Sequence, residues 1–270
     1  MREKANSWRC ILNEQLKILK LLEEGKINAE EAARLLEALS ESQTHHKKHH
    51  RMWATFEHMP EHIATIINGS VGLMASPEVL RFKNKHELEI KAISGDLMIN
   101  GTDQNEILVN KQGFGRIKGK NDKVEIKAIS GDVHIHAPRQ TKLTIKGVSG
   151  TITISEIEND IILKTVSGNI IGKDLRGSFT GNIISGDISL DYAEVHNLDI
   201  RSRSGDVTIY LNDQTDARVN IETEEGNISS DLPLKDEQKS EFSLEGTMNN
   251  GKGTIYIKCD YGDTFLKKRK

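Results

Sequence analysis

Leu143-Thr144-Ile145-Lys146-Gly147-Val148-Ser149-Gly150-Thr151-Ile152-Thr153-Ile154 is the stretch that decides the fold. Apolar and polar residues alternate on both sides of a Ser-Gly dipeptide. That is the period-two pattern of a half-buried strand, a turn and a second strand. The frame recurs: Ser-Gly dipeptides stand at Ser94, Ser130, Ser149, Ser167, Ser185 and Ser204, at gaps of 36, 19, 18, 18 and 19 residues. Because 36 is two periods of 18, a further coil is expected near Phe114-Gly115. Degenerate copies are expected at Glu225-Gly226 and Lys252-Gly253.

Apolar residues keep a constant offset from each dipeptide. Leu88, Ile90, Ile93, Leu97 and Ile99 surround Ser94, and Val124, Ile126, Ile129, Val133 and Ile135 surround Ser130. Leu143, Ile145, Val148, Ile152 and Ile154 surround Ser149, while Leu198, Ile200, Val207 and Ile209 surround Ser204. These are the expected core. A period of about 18 is too short for a propeller blade and too long for a tight hairpin. One coil of a solenoid fits it, each coil stacking on the next at about 4.8 Å. The predicted fold is therefore mainly β: a single-chain parallel β-solenoid, or β-helix, of about eight or nine coils forming a rod roughly 40 Å long.

Composition agrees. The chain has 270 residues, 29% charged and 36% hydrophobic, with a mean hydropathy of −0.50. Of its 22 glycines, 19 follow residue 90, whereas prolines number 4. Glycine in register without proline marks repeated tight turns rather than disorder. A net charge of −3 gives no field for nucleic acid, and no nucleic-acid partner is expected. No secretory leader or spanning run is visible, so the reading is cytoplasmic, with peripheral membrane or cell-envelope association as the alternative. Cys10 and Cys259 stand at opposite ends of the chain and define no disulfide framework. Walker, GxSxG, HExxH and CxxC strings are absent, so no catalytic residue, cofactor or enzymatic activity is assigned.

Four segments are expected: a helical hairpin over 1–40, a His-rich linker and amphipathic helix or cap over 41–83, the solenoid over 84–262, and a basic tail over 263–270. In the first, Trp8, Leu12, Leu16 and Leu19 share a helical stripe. Gly25 is a C-terminal cap, Asn28 with Glu31 forms a capping box, and Ala32, Leu35, Leu36 and Leu39 face inward on the second helix. So short a hairpin has little core, and self-association or a protein partner is expected there. In the linker His45, His46, His49 and His50 form two i, i+4 pairs. Lys47 and Lys48 intervene and no carboxylate closes the shell, so they are weak metal candidates and no metal site is assigned. His58 and His62 stand likewise. Over 52–74, Trp53, Phe56, Ile63 and Ile67 form an amphipathic helix that either covers one end of the solenoid or lies on a membrane. The tail Lys267-Lys268-Arg269-Lys270 is either solvated or a membrane-surface anchor.

Two ladders are candidate sites. Stacking aligns the turns Ser94-Gly95-Asp96, Ser130-Gly131-Asp132, Ser149-Gly150, Ser167-Gly168-Asn169, Ser185-Gly186-Asp187 and Ser204-Gly205-Asp206. The residue after glycine, continuing as Thr151, Asn227 and Thr254, is either a cation or polar-ligand edge or a turn residue bonding its own backbone. Its mixture of Asp, Asn and Thr favours structure. Three residues before each serine stand Lys91, Lys127, Lys146, Lys164 and Arg201, with Asn182 at the one exception. Stacked coils set these cations side by side as a basic stripe, read as solubility charge or as a contact for anionic lipid or cell-wall polymer.

The string Ile18-Leu19-Lys20-Leu21-Leu22-Glu23-Glu24-Gly25-Lys26-Ile27-Asn28-Ala29-Glu30-Glu31-Ala32, running on to Leu35-Leu36-Glu37-Ala38-Leu39, resembles the short N-terminal helical domain of YvlB/LiaX-like proteins of Firmicutes. The Ser-Gly-Asp coils resemble the adhesin-type β-strand repeat domain of the same family. The resemblance implies a Gram-positive protein of cell-envelope stress and antimicrobial-peptide resistance, with no catalytic residues to carry over. The His-rich linker and residues 52–74 depart from the motif.

The leading function is thus a non-enzymatic binding or scaffold protein of the cell envelope, its ligand an antimicrobial peptide, an anionic lipid or a cell-wall polymer. The alternative is an assembly module in which the hairpin oligomerises and the solenoid is a spacer. A carbohydrate-active β-helix enzyme is the third class. It needs clustered acids and aromatic platforms, and twelve aromatic residues, mostly scattered, argue against it.

Overall fold

A glycine φ of +90° to +129° recurs at the Ser-Gly turns from Gly95 to Gly205, and it is this conformation that reverses each coil. The computed structural model describes residues 74–75 and 78–269; the expected hairpin over 1–40 and residues 41–73 of the expected linker and amphipathic helix lie outside them, while 74–75 and 78–83, expected in that linker and cap segment, are strand. In chain order the strands are β1 (Met74–Ala75), β2 (Glu78–Lys83), β3 (Glu87–Ala92), β4 (Leu97–Thr102), β5 (Glu106–Lys111), β6 (Phe114–Lys120), β7 (Lys123–Ser130), β8 (Val133–Pro138), β9 (Lys142–Gly147) and β10 (Ile152–Ser155). They continue as β11 (Ile161–Ser167), β12 (Ile170–Ser185), β13 (Ile188–Ser204), β14 (Val207–Leu211), β15 (Ala217–Glu225), β16 (Ile228–Ser230), β17 (Lys235–Lys239), β18 (Ser243–Met248), β19 (Gly253–Tyr261) and β20 (Thr264–Lys268).

Strands before a turn build one face and strands after it build the other. The first face runs β6-β7-β3-β9-β11-β12-β13-β19-β15-β18-β17. The second runs β2-β5-β8-β4-β10-β12-β13-β14-β20-β16. The long strands β12 and β13 pass from one face to the other, so all twenty strands share one hydrogen-bonded sheet wrapped round the core like a flattened barrel. The fold is mainly β and solenoid-like, but it is not all-parallel. Reversed strands stand near both ends: β5 and β6 at one, with β2 and β1 antiparallel outside them, and β18 at the other, with β17 antiparallel outside it. Such strands occupy the ladder positions at which a bare parallel stack would recruit another chain.

Stacking order departs from chain order. The coil turning at Gly131 lies outside the one turning at Gly95, and Gly150 follows Gly95. At the far end the last coil of the chain is inserted before an earlier one, in the order Gly205, Gly262, Gly226. Three expectations are corrected here. The coil sought at Phe114-Gly115 exists but runs backwards, turning at Gly113, whose φ is +94°. The final turn is Tyr261-Gly262-Asp263, not Lys252-Gly253, and Thr254 sits inside β19 on the first face. The expected basic tail is strand β20, paired with β14 on one side and β16 on the other. Arg269 beyond it pairs with Asp174 at 2.6 Å and Asp191 at 2.7 Å.

The core is a set of columns. One reads Ile126, Ile90, Ile145, Leu163, Gly181, Ile200, Ile257 and Ile221 across adjacent strands of the first face. All but the glycine are buried aliphatics, each contributing about 1.5–3 kcal/mol. Gly181 interrupts the column because Phe179 fills its space: a Cβ there would meet the ring at 2.5 Å. Ile93, Ile129 and Val148, assigned above to the core, are instead half-buried, while Ala128 inside the same turn is fully buried. Strand alternation continues into the turn and turns these three outward.

Cys259 is a free thiol within this core, and burial pushes its pKa up to about 11. The unfolded thiol ionises near pH 9, so the folded state holds the proton longer. This contribution to stability is complete below about pH 9 and is lost as pH rises towards 11. In a Cys10→Ser variant, thiol-reactive dye should label Cys259 only at the rate of unfolding; immediate labelling in native buffer would contradict its burial.

Candidate functional site

The turn ladder is a hydrogen-bonded seam with a single break among the described residues. The amide of Asp96 donates to Asp132 Oδ1 at 2.9 Å, and that of Thr151 to Asp96 Oδ1 at 2.8 Å. Further along, the amide of Asp187 donates to Asn169 Oδ1 (3.1 Å), Asp206 to Asp187 Oδ1 (3.0 Å), Asp263 to Asp206 Oδ1 (2.9 Å) and Asn227 to Asp263 Oδ1 (2.8 Å). The side chain thus serves the backbone of the neighbouring coil, not its own as the turn chemistry predicts. Thr151 offers no carboxylate or amide oxygen, and the seam is interrupted between Thr151 and Asn169. Ser149 Oγ donates to Ile93 O of the adjacent coil at 3.2 Å. No group of three His, Cys, Asp or Glu side chains suited to a metal ion occurs among the described residues, and His45, His46, His49 and His50 lie outside them.

The basic stripe is a row in register. Across adjacent strands of the first face the order is Arg116, Lys127, Lys91, Lys146, Lys164, Asn182, Arg201 and Lys258. Neighbouring strands stand about 4.8 Å apart, so the first five positions form an unbroken line of cations. Sequence spacing placed five of these residues and missed Arg116 and Lys258. The signal for Lys258 was available, since it precedes Tyr261-Gly262 by the usual three positions.

Pairing is uneven along the row. Lys91 contacts Glu89 at 3.1 Å, and Lys123 holds the other Glu89 oxygen at 2.7 Å. The hydrogen bond from Lys123 keeps the Glu89 carboxyl below its usual range, against the opposing effect of burial. Arg201 pairs with Asp199 at 3.2 Å and lies 5.6 Å from the centre of the Tyr256 ring. Lys127, Lys146 and Lys164 make no ion pair or hydrogen bond among the described residues. Like charges at this spacing repel one another, so the row stores a cost that an anion relieves.

Beside the cations, two residues further along each strand, runs an aliphatic row: Ile129, Ile93, Val148, Val166 and Ile184, all half-buried. Sequence reasoning assigned three of these to the core, although period-two alternation from the adjacent lysine puts them on the lysine's face. The outer face thus carries ammonium groups and β-branched side chains in parallel lines.

Residues 77–267 match the family described as Toastrack DUF4097. Residues 13–43 match a SHOCT-like domain. No curated protein matches the chain. Among solved structures, a "putative cell adhesion protein" from Clostridium sporogenes ATCC 15579 is similar at 15% identity and a TM-score of 0.41, over 72% of this chain and 100% of that one. A "putative adhesin" from Parabacteroides merdae ATCC 43184 is similar at 9% identity and a TM-score of 0.26, over 73% of this chain and 96% of that one. No helix among the described residues is long and apolar enough to cross a membrane.

Proposed function

The chain belongs to the Toastrack DUF4097 family, and from that premise we propose that it is a non-enzymatic binding scaffold whose first face meets an anionic partner at the cell envelope. The observation that carries this is the row Lys127, Lys91, Lys146, Lys164, with three of its four ammonium groups unpaired among the described residues. Anionic lipid headgroups or an acidic wall polymer match such a row, and the aliphatic line beside it suits a surface that is charged above and apolar below. A cationic antimicrobial peptide does not match it. Such a peptide would meet the turn edge instead, where Asp96, Asp132, Asp187 and Asp206 are exposed.

The likeness of 18–39 to YvlB/LiaX-type proteins supports a role in the envelope-stress response. The SHOCT-like match at 13–43 supports a separate N-terminal module for self-association or a protein partner. Cosedimentation with vesicles of phosphatidylglycerol and phosphatidylcholine tests the proposal. The full chain should bind at low salt and release at high salt. Each basic residue near such a surface is worth about 1 kcal/mol, so the triple variant Lys127→Gln, Lys146→Gln, Lys164→Gln should partition about a hundredfold more weakly. Failure to bind at low salt, or equal binding by the triple variant, would sink the lipid reading.

A further inference from the structure

A groove of about 410 Å³ opens on the same outer face, in the middle of the stack and beside Lys164, where the row of unpaired lysines ends. Its floor is built from the outward positions of four consecutive strands. One line is Asp160, Ser178, Asn197 and Thr254; the next is Ile162, Thr180, Asp199 and Tyr256. Short hydroxyl side chains in the middle leave the depression, and Ile162 and Tyr256 bound it three strands apart, roughly 14 Å by strand spacing. A break in register between Gly177 and Phe179 delivers Ser178 to this line.

The chemistry of the lining is specific. Tyr256 is braced by the Arg201 guanidinium, 5.6 Å from the ring centre, and by Glu222 Oε2, 3.5 Å from its hydroxyl. Thr254 Oγ1 donates to Asn197 Oδ1 at 2.9 Å, which fixes the amide with its nitrogen left to donate. The Asp160 carboxylate and the Ser178 and Thr180 hydroxyls have no hydrogen bond or ion pair among the described residues. A braced aromatic ring beside unsatisfied carboxylate, amide and hydroxyl groups matches one class of ligand. A sugar ring presents apolar C–H faces to an aromatic and hydroxyls to paired donors and acceptors.

Other classes fit less well. Asp160 and Asp199 oppose a phosphate or an acidic polymer, and no three-ligand cation set is present among the described residues. An extended peptide cannot add a strand here, because the strands lining the groove already pair in the sheet interior. We propose that this groove binds a neutral oligosaccharide. The inference goes beyond the anionic-partner reading and stands on different residues.

Calorimetric titration of the full chain with chitotetraose, cellotetraose and maltotetraose tests it. At least one should bind, with an affinity unchanged between low and high salt because the ligand is uncharged. Tyr256→Ala should weaken that binding about tenfold. Asp160→Asn, an exposed change that leaves the core intact, should weaken it several-fold. The double variant Lys127→Gln, Lys146→Gln, altered on strands that do not line the groove, should bind the sugar as the parent does. Absence of binding by all three at millimolar concentration would overturn the inference, as would parental affinity in Asp160→Asn and Tyr256→Ala. If the sugars fail while vesicles bind, this inference falls and the proposed function stands; the reverse pattern sinks the other.

Discussion

Replacing Gly168 with alanine is expected to destabilise the domain by about 3 kcal/mol or more. Two independent effects add. Gly168 has a φ of +116°, a conformation that side-chain-bearing residues rarely adopt, and an added Cβ would stand 2.1 Å from the carbonyl oxygen of Gly150. That oxygen is backbone, fixed by the coil beneath, and Gly186 repeats the same approach on the coil above, 2.3 Å from Gly168 O. Relief therefore needs the whole stack to move apart at this level. Gly119→Ala is the control. Its new methyl would meet the Phe82 ring at 2.9 Å, a side chain that can turn aside, so a loss of about 1 kcal/mol is expected. Urea denaturation measures both. Equal midpoints for Gly168→Ala and the parent would show that the turn column does not hold the coils in place.

Truncation after Tyr261 should prevent folding. The deleted strand β20 lies inside the second face, with Val207 opposite Thr264 on one side and Ile228 opposite Thr264 on the other. Its loss removes Leu266 from the core and leaves β14 and β16 with unpaired edges facing a gap. Open edges of this kind pair with other chains, so the truncated protein should be recovered as aggregate. Truncation after Lys268 is the contrast. It keeps the strand and removes the Arg269 pairs to Asp174 and Asp191, partly exposed interactions worth about 1 kcal/mol. Soluble yield and circular dichroism separate the two. A soluble, β-rich product after Tyr261 would mean that the C-terminal segment is the loose tail its composition resembles.

The repeat was legible because glycine and alternation are local signals. Each Ser-Gly coil from Ser94 to Ser204 could be placed by eye, and so could the cation three residues before the turn. What misled was the serine. Gly262 follows Tyr261, and Gly226 follows Glu225; the turn requires a positive φ at glycine, not a hydroxyl before it. Lys252-Gly253 has neither that backbone nor the period, standing 27 residues after Glu225, whereas Tyr261 stands 36 after it, two periods of 18. Lys258 before and Asp263 after were the better guides, because those positions repeat for structural reasons: one faces out from the first sheet, the other takes the next coil's amide.

Stacking order was not legible for a different reason. Every coil offers much the same inward columns, so the local pattern does not say which coil lies on which. The gap of 36 residues between Ser94 and Ser130 concealed a reversed coil because alternation reads the same in both directions. Lys111 marks that end in retrospect. It is a fully buried lysine whose Nζ donates to Gly113 O at 2.8 Å, holding the outermost turn of the column. The groove at Tyr256 was beyond local reading too, since it joins residues from four strands and its aromatic wall comes from the coil inserted out of order.

The claim that the first face meets an anionic surface can be read from its own lysines. Lysine acetylation of the folded chain, followed by mass spectrometry, should be run with and without phosphatidylglycerol vesicles. Lys127, Lys146 and Lys164 should lose reactivity on the vesicles, while Lys173 and Lys267, on strands of the second face, keep theirs. Protection confined to Lys173 and Lys267, or vesicle binding with no change at Lys127, Lys146 and Lys164, would contradict the account.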